Sequence, residues 1–178
     1  MKDIKVPVKE QVDATSQKVF DQLKSKLGMV PNLYAAIGYS SNALTSFLTF
    51  SEAASKGSFN NKEIEAIKLA VSEANACDYC KAAHTAIAKM NGFTEEETLQ
   101  LRNLTIEDAK LNALTRLSFD IAKHAGHVSD ESKAAFFAQG YDEKALIDLV
   151  AVVISVTFTN YVFGVTQVPI DFPKAKAV

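Results

Sequence analysis

Residues that break a helix are few in this chain, and they fall where helices end. Seven glycines and four prolines stand among 178 residues. Alanine, leucine, lysine and glutamate are common, a balance that favours helix throughout. Gly28, Gly57, Gly92, Gly126 and Gly140 each follow a periodic segment, the position of a helix stop. Start signals precede the next segments. Asn60 stands three residues before Glu63, and Thr94 three before Glu97, the spacing of a capping box. Ser129 precedes Asp130-Glu131, and Asp142 precedes Glu143. These signals predict helices near 12–27, 31–38, 41–56, 61–75, 77–91, 94–102, 106–125 and 129–139, with a ninth, buried one over about 142–162. In 61–75 the residues Ile64, Ile67, Leu69, Ala70 and Val71 fall on one broad apolar face, and in 106–125 Leu111, Leu114, Leu117, Phe119 and Ile121 do likewise. Clean two-residue alternation is absent, so the fold class expected is all-α, a multi-helix single domain over 1–178 with no sheet. After Gly164, two prolines with apolar residues between them predict an extended tail over about 165–178, lying in a groove and possible on a neighbouring subunit.

Composition excludes several functions. With 48 % hydrophobic and 22 % charged residues the chain has too much apolar material to be disordered. A net charge of −2 gives no basic field for nucleic acid or anionic lipid. Lys2, Lys5, Lys9, Lys18, Lys24 and Lys26 alternate with acids and read as a solvated face. The N-terminus mixes charges with single apolar residues, so no signal peptide is expected. The most hydrophobic run, Leu149 to Phe158, is about half the length of a membrane span and is expected to be a buried helix. The expectation is a cytoplasmic protein with no membrane and no nucleic-acid partner.

Two cysteines cannot build a disulfide scaffold, but they stand close together, Cys77 and Cys80, with Asp78 and Tyr79 between them. In a reducing compartment such a pair is redox-active or metal-binding. His84 follows Cys80 by four residues, which puts imidazole and sulfur on one helix face. Cys77 falls at the helix start, where amide groups and the dipole favour a thiolate. The thiolate attacks a peroxide or a disulfide, and a second cysteine within one turn closes a disulfide on the sulfenic acid formed. Upstream, Glu63 reads as a solvated carboxylate. Glu65 lies on a mostly apolar segment; it is either solvated too, or buried with a raised pKa that fits it for proton shuttling. Zinc is the competing chemistry: Cys77, Cys80 and His84 supply three ligands, and a fourth would come from Glu65, His124 or His127. A non-catalytic helical oligomer with inert thiols is the other. His124 and His127 flank a helix-ending glycine and read as dipole partners. Tyr34, Tyr39, Phe47, Phe50 and Phe59 read as core, or in lesser part as an apolar vestibule above the cysteines; Asn160 and Tyr161 read as core or cap.

The run from Glu65 through Cys77-Asp78-Tyr79-Cys80 to His84 resembles the signature of the alkylhydroperoxidase D family, in the carboxymuconolactone decarboxylase-like superfamily. Leu27-Gly28-Met29-Val30-Pro31-Asn32-Leu33 and Val168-Pro169-Ile170-Asp171-Phe172-Pro173 resemble its peroxidase-related branch. The resemblance implies an all-α fold with a redox core over about 60–125, and an antioxidant thiol peroxidase or disulfide reductase needing no cofactor and no metal. It implies Cys80 as the peroxidatic cysteine, Cys77 as the resolving one, and Glu65 with His84 as the proton relay. The partners implied are a small peroxide substrate, a dithiol or lipoyl-type reductant or a peroxiredoxin, and further copies of the chain in a homo-trimer or homo-hexamer. Many members carry histidine immediately before the second cysteine; here Tyr79 stands there, a hydrogen-bond donor that is neutral at pH 7.

Overall fold

A computed structural model describes residues 4–178; Met1, Lys2 and Asp3, on which part of the N-terminal reading rests, lie outside the described residues. Among the described residues the regular structure is helical throughout. A short 3₁₀ turn (Lys9–Gln11) precedes α1 (Ala14–Leu27), α2 (Asn32–Ile37), α3 (Ser41–Ala54), α4 (Asn61–Ala74) and α5 (Asp78–Met90). Then come α6 (Glu95–Asn103), α7 (Ala109–Lys123), α8 (Asp130–Ala138) and α9 (Glu143–Thr166). The all-α expectation holds, and the start signals act as read. Asn60 and Thr94 form reciprocal capping boxes with Glu63 and Glu97, while Ser129 and Asp142 cap α8 and α9.

The helix α4 is the centre of the molecule and packs against α5, α6, α7 and α9. The single apolar face expected of it is in fact two. Ile64, Ile67 and Val71 join a core with Leu114, Leu117, Phe136, Leu149 and Val152. Ala66 and Leu69 point into another with Ala88, Phe93 and Leu101. A helix covered on most sides must bury its polar residues too, and Glu63, Glu65 and Ser72 are all buried.

Gly57 is not the left-handed helix stop that Gly28 is (φ 78°). A Cβ on Gly57 would stand 2.7 Å from the Asp148 carboxyl carbon, so the glycine is there for close approach. The Asp148 carboxylate accepts from the Ser58 backbone N–H at 2.9 Å and its hydroxyl at 2.6 Å, tying the α3–α4 loop to α9.

The last helix is longer and less buried than expected. At 24 residues α9 is long and apolar enough to cross a membrane by length and composition alone. One face (Leu149, Val152, Val153, Val156, Phe163) is buried in the protein, while Ile147, Ile154, Tyr161 and Val165 are exposed. The tail beyond Gln167 has no helix, and its Asp171 bonds to Asn32 and Tyr79 of the same chain.

Candidate active site

The turn between α4 and α5 is short and sets the cysteines. Ala76 takes a left-handed conformation (φ 51°) without being glycine, and Cys77 N–H donates to Ser72 O at 2.9 Å. Cys77 is thereby the N-cap of α5, its sulfur accepting from the Cys80 backbone N–H at 3.2 Å. In a reduced pair the same amide and the helix dipole favour negative charge on that sulfur. Cys77 and Cys80 form a disulfide, with Cα atoms 5.3 Å apart. Both are buried, among Leu33, Ala36, Phe163 and Val168.

His84 sits one turn further along α5. Its Nδ1 is 2.9 Å from Glu65 Oε2, and Lys68 Nζ donates to Glu65 Oε1 at 3.0 Å. Burial alone would push the Glu65 carboxyl up, as the sequence reading expects. The charge of His84 and its hydrogen bond, followed by those of Lys68, outweigh burial and hold it down at about 2. Glu65 is therefore ionised at neutral pH and accepts from Nδ1–H; in the neutral imidazole the lone pair then falls on Nε2. Glu65 engages Nδ1 of the imidazole and leaves Nε2 free of it.

A cavity of about 560 Å³ reaches this point. Cys80, His84 and Thr159 line it, together with Tyr34, Tyr79 and Phe172, whereas Cys77 does not. Thr159, at 4.0 Å from the Cys80 sulfur, was not singled out by the sequence; its neighbours Asn160 and Tyr161 are instead bonded to Asn75 and exposed, respectively. Of the aromatic set, Tyr34 belongs to the vestibule and Phe47 and Phe59 to the core, while Tyr39 and Phe50 are exposed.

Tyr79 has a structural bond network in place of a histidine. Its hydroxyl donates to Asp171 at 2.6 Å and accepts from Leu33 N–H at 3.2 Å. Burial, then the bond to Asp171, pushes its ionisation far above that of free tyrosine. Asp171 also accepts from Asn32 N–H at 2.8 Å, so Tyr79 fastens both the tail and the start of α2 beside the cysteines. Phe172, packed edge-on to Tyr79, is thereby set as a cavity wall.

His124 and His127 are exposed and remote from this constellation. Among the described residues no group of three or more His, Cys, Asp or Glu is arranged to hold a metal.

The helical fold and the four motif residues are similar to those of proteins of alkylhydroperoxidase D type. The sequence model of the carboxymuconolactone decarboxylase family matches residues 42–124, which include Glu65, Cys77, Cys80 and His84. The structure is similar to the alkylhydroperoxidase AhpD core of an uncharacterised peroxidase-related protein from Ralstonia eutropha JMP134 (TM-score 0.80, 21 % identity, 90 % of this chain and 87 % of that one). It is also similar to an uncharacterised peroxidase-related protein from Silicibacter sp. TM1040 (TM-score 0.78, 22 % identity, 93 % and 91 %). A third likeness is to the debrominase Bmp8 in complex with 2,3,4-tribromopyrrole (TM-score 0.75, 20 % identity, 89 % and 86 %). No curated protein matches the chain significantly. The superfamily resemblance expected from the motif, alkylhydroperoxidase D-like and carboxymuconolactone decarboxylase-like, is borne out.

Proposed function

We propose that the protein is a thiol-dependent hydroperoxidase in which Cys80 attacks the peroxide and Cys77 resolves the product. The observation that carries this reading is a cavity that touches Cys80 and His84, with Cys77 behind them at disulfide distance. In the reduced pair, His84 Nε2 takes the proton of Cys80. The thiolate attacks the terminal oxygen of ROOH, and the O–O bond breaks. The alkoxide leaves as ROH with the proton returned by His84, and Cys80 becomes a sulfenic acid. Cys77, stabilised as a thiolate by the first turn of α5, attacks the Cys80 sulfur and displaces the hydroxyl as water. A dithiol donor of lipoyl type, or a peroxiredoxin partner, then exchanges with the disulfide and restores two thiols.

Cys80→Ser abolishes hydroperoxide consumption. Cys77→Ser allows a single turnover that stops at a Cys80 sulfenic acid, detected by mass spectrometry after trapping. Full activity in both variants would falsify the assignment. A cytoplasmic location, where dithiol donors are reduced, is part of the same reading. So is a homo-trimer or homo-hexamer: Ile147, Val150, Ile154, Tyr161 and Val165 form an exposed apolar stripe along α9 at coiled-coil spacing. A monomer in light scattering at micromolar concentration counts against the oligomer alone.

A second reading takes support from the aromatic cavity walls, Tyr34, Tyr79 and Phe172. In it the dithiol removes halogen from a small aromatic, the class of activity in the name of one structural neighbour. Bromide release from a bromopyrrole, read by ion chromatography, separates the two.

A further inference from the structure

The cavity has a floor, a length and a single cation. Its floor is one stripe of α5: Cys80, Ala83, His84, Ile87, Met90 and Asn91 all line it, at the three- and four-residue steps of one helix face. From Cys80 to Met90 is ten residues, about 15 Å of helix at its usual rise. That matches an extended chain of roughly a dozen carbons. The reacting end is closed, Cys80 being 3 % exposed, and the other end is open, Met90 being 85 % exposed. Between them the lining is mostly apolar, with Leu27, Met29 and Leu33 facing the α5 stripe.

Among the lining residues no carboxylate occurs, and one lysine does, Lys26. Lys26 is exposed, in the last turn of α1, and also lines the neighbouring groove that holds Glu52. Its ammonium forms no salt bridge among the described residues; Glu52, the nearby acid that feels its charge, is bonded to Lys56 at 2.6 Å. A slot with the Cys80 sulfur at its closed end, about a dozen carbons of apolar wall and one lysine among its lining residues is complementary to one shape of ligand.

We propose that the site takes single-chain amphiphiles with a carboxylate head, bound tail-inward with the head at Lys26, so that the peroxide it reduces is borne on the chain of a fatty acid. The identity of the reacting group rests on the hydroperoxidase reading; the shape and charge of the ligand do not. In the reaction the chain's C–O–OH group gives its terminal oxygen to Cys80 and leaves as the chain alcohol, the carboxylate being unchanged.

The test separates ligand class from chemistry. Equilibrium binding of unreactive probes, straight-chain carboxylates and alcohols of six to fourteen carbons, is measured by calorimetry on the intact protein. Affinity is expected to rise by up to about fourfold per methylene and to level off near a dozen carbons. At equal length the carboxylate binds about fivefold more tightly than the alcohol, and Lys26→Gln brings that ratio to about one. Equal affinity for acid and alcohol, or a ratio that Lys26→Gln leaves unmoved, overturns the proposal. In parallel, the wild type is given cumene hydroperoxide and a fatty-acid hydroperoxide. Reduction of both without the charge-dependent binding leaves the hydroperoxidase standing and removes the amphiphile. Charge-dependent binding with neither peroxide reduced keeps the amphiphile and removes the hydroperoxidase.

Discussion

Glu63 and Glu65 are two residues apart on α4 and nearly equally buried, 7 % and 4 % exposed. They serve different regions. Glu63 closes the α4 capping box by accepting from Asn60 N–H at 3.0 Å, and it accepts from the Tyr141 hydroxyl at 2.8 Å. Lys110 stands 3.3 Å from it and 4.7 Å from the centre of the Tyr141 ring, which stacks on Phe136. Glu63 is tied to the core through Tyr141, and none of its partners lines the cavity. Glu65 is also held by a cation and a ring group, but its ring is His84, and His84 opens into a cavity beside a cysteine. Burial does not distinguish these two carboxylates. What the carboxylate's partner touches does.

The largest effect expected is on rate. Glu65→Gln removes the charge that fixes His84 as a base and slows hydroperoxide reduction by about a hundredfold, whereas Glu63→Gln changes it less than about twofold. Steady-state rates with a neutral hydroperoxide measure both, and equal slowing would erase the distinction drawn between the two regions. Next is stability. Glu63→Ala leaves the Tyr141 hydroxyl and the Asn60 N–H without their acceptor and costs about 2 kcal/mol in denaturant unfolding. Tyr141→Phe removes only the donor and costs about 1 kcal/mol.

Acid then sharpens the contrast. A carboxyl held low in the folded state stabilises fully above its unfolded value, and that stability is lost as pH falls towards the folded value. For Glu65 the window runs from about 4.5 down to about 2. Unfolding free energy should fall across it in the wild type and fall less steeply in Glu65→Gln; equal slopes mean that Glu65 is not held low. The smallest effect is at Lys110, whose side chain is 53 % exposed. Lys110→Gln should change stability by under about 0.5 kcal/mol, again read by denaturant unfolding.

The helices were legible because their signals are local. Asn60 with Glu63 and Thr94 with Glu97 are three residues apart, and caps act over that distance. Cys77, Cys80 and His84 were legible for the same reason: one helix turn brings them together. What was hidden depends on contacts made across the fold. Gly57 looked like a stop because nothing in its neighbourhood announces Asp148. Thr159, Phe172 and Tyr34 reach the cavity from distant segments and carry no pattern of their own. The direction of the Glu65 shift was misjudged because burial was read from α4 alone, without the cation of Lys68 and the imidazole brought by α5. The seat of the tail is not legible either, since Asp171 and Tyr79 are 92 residues apart.

That separation also has a meaning in time. The hydroxyl of Tyr79 waits for Asp171 through 92 further residues of synthesis, about five to twenty seconds at the usual pace of translation. During that interval α4 and α5 have been made, and the cysteine pair exists without the Phe172 wall. Until the tail is made, the Tyr79 hydroxyl lacks its acceptor and the cavity beside Cys80 lacks one of its walls.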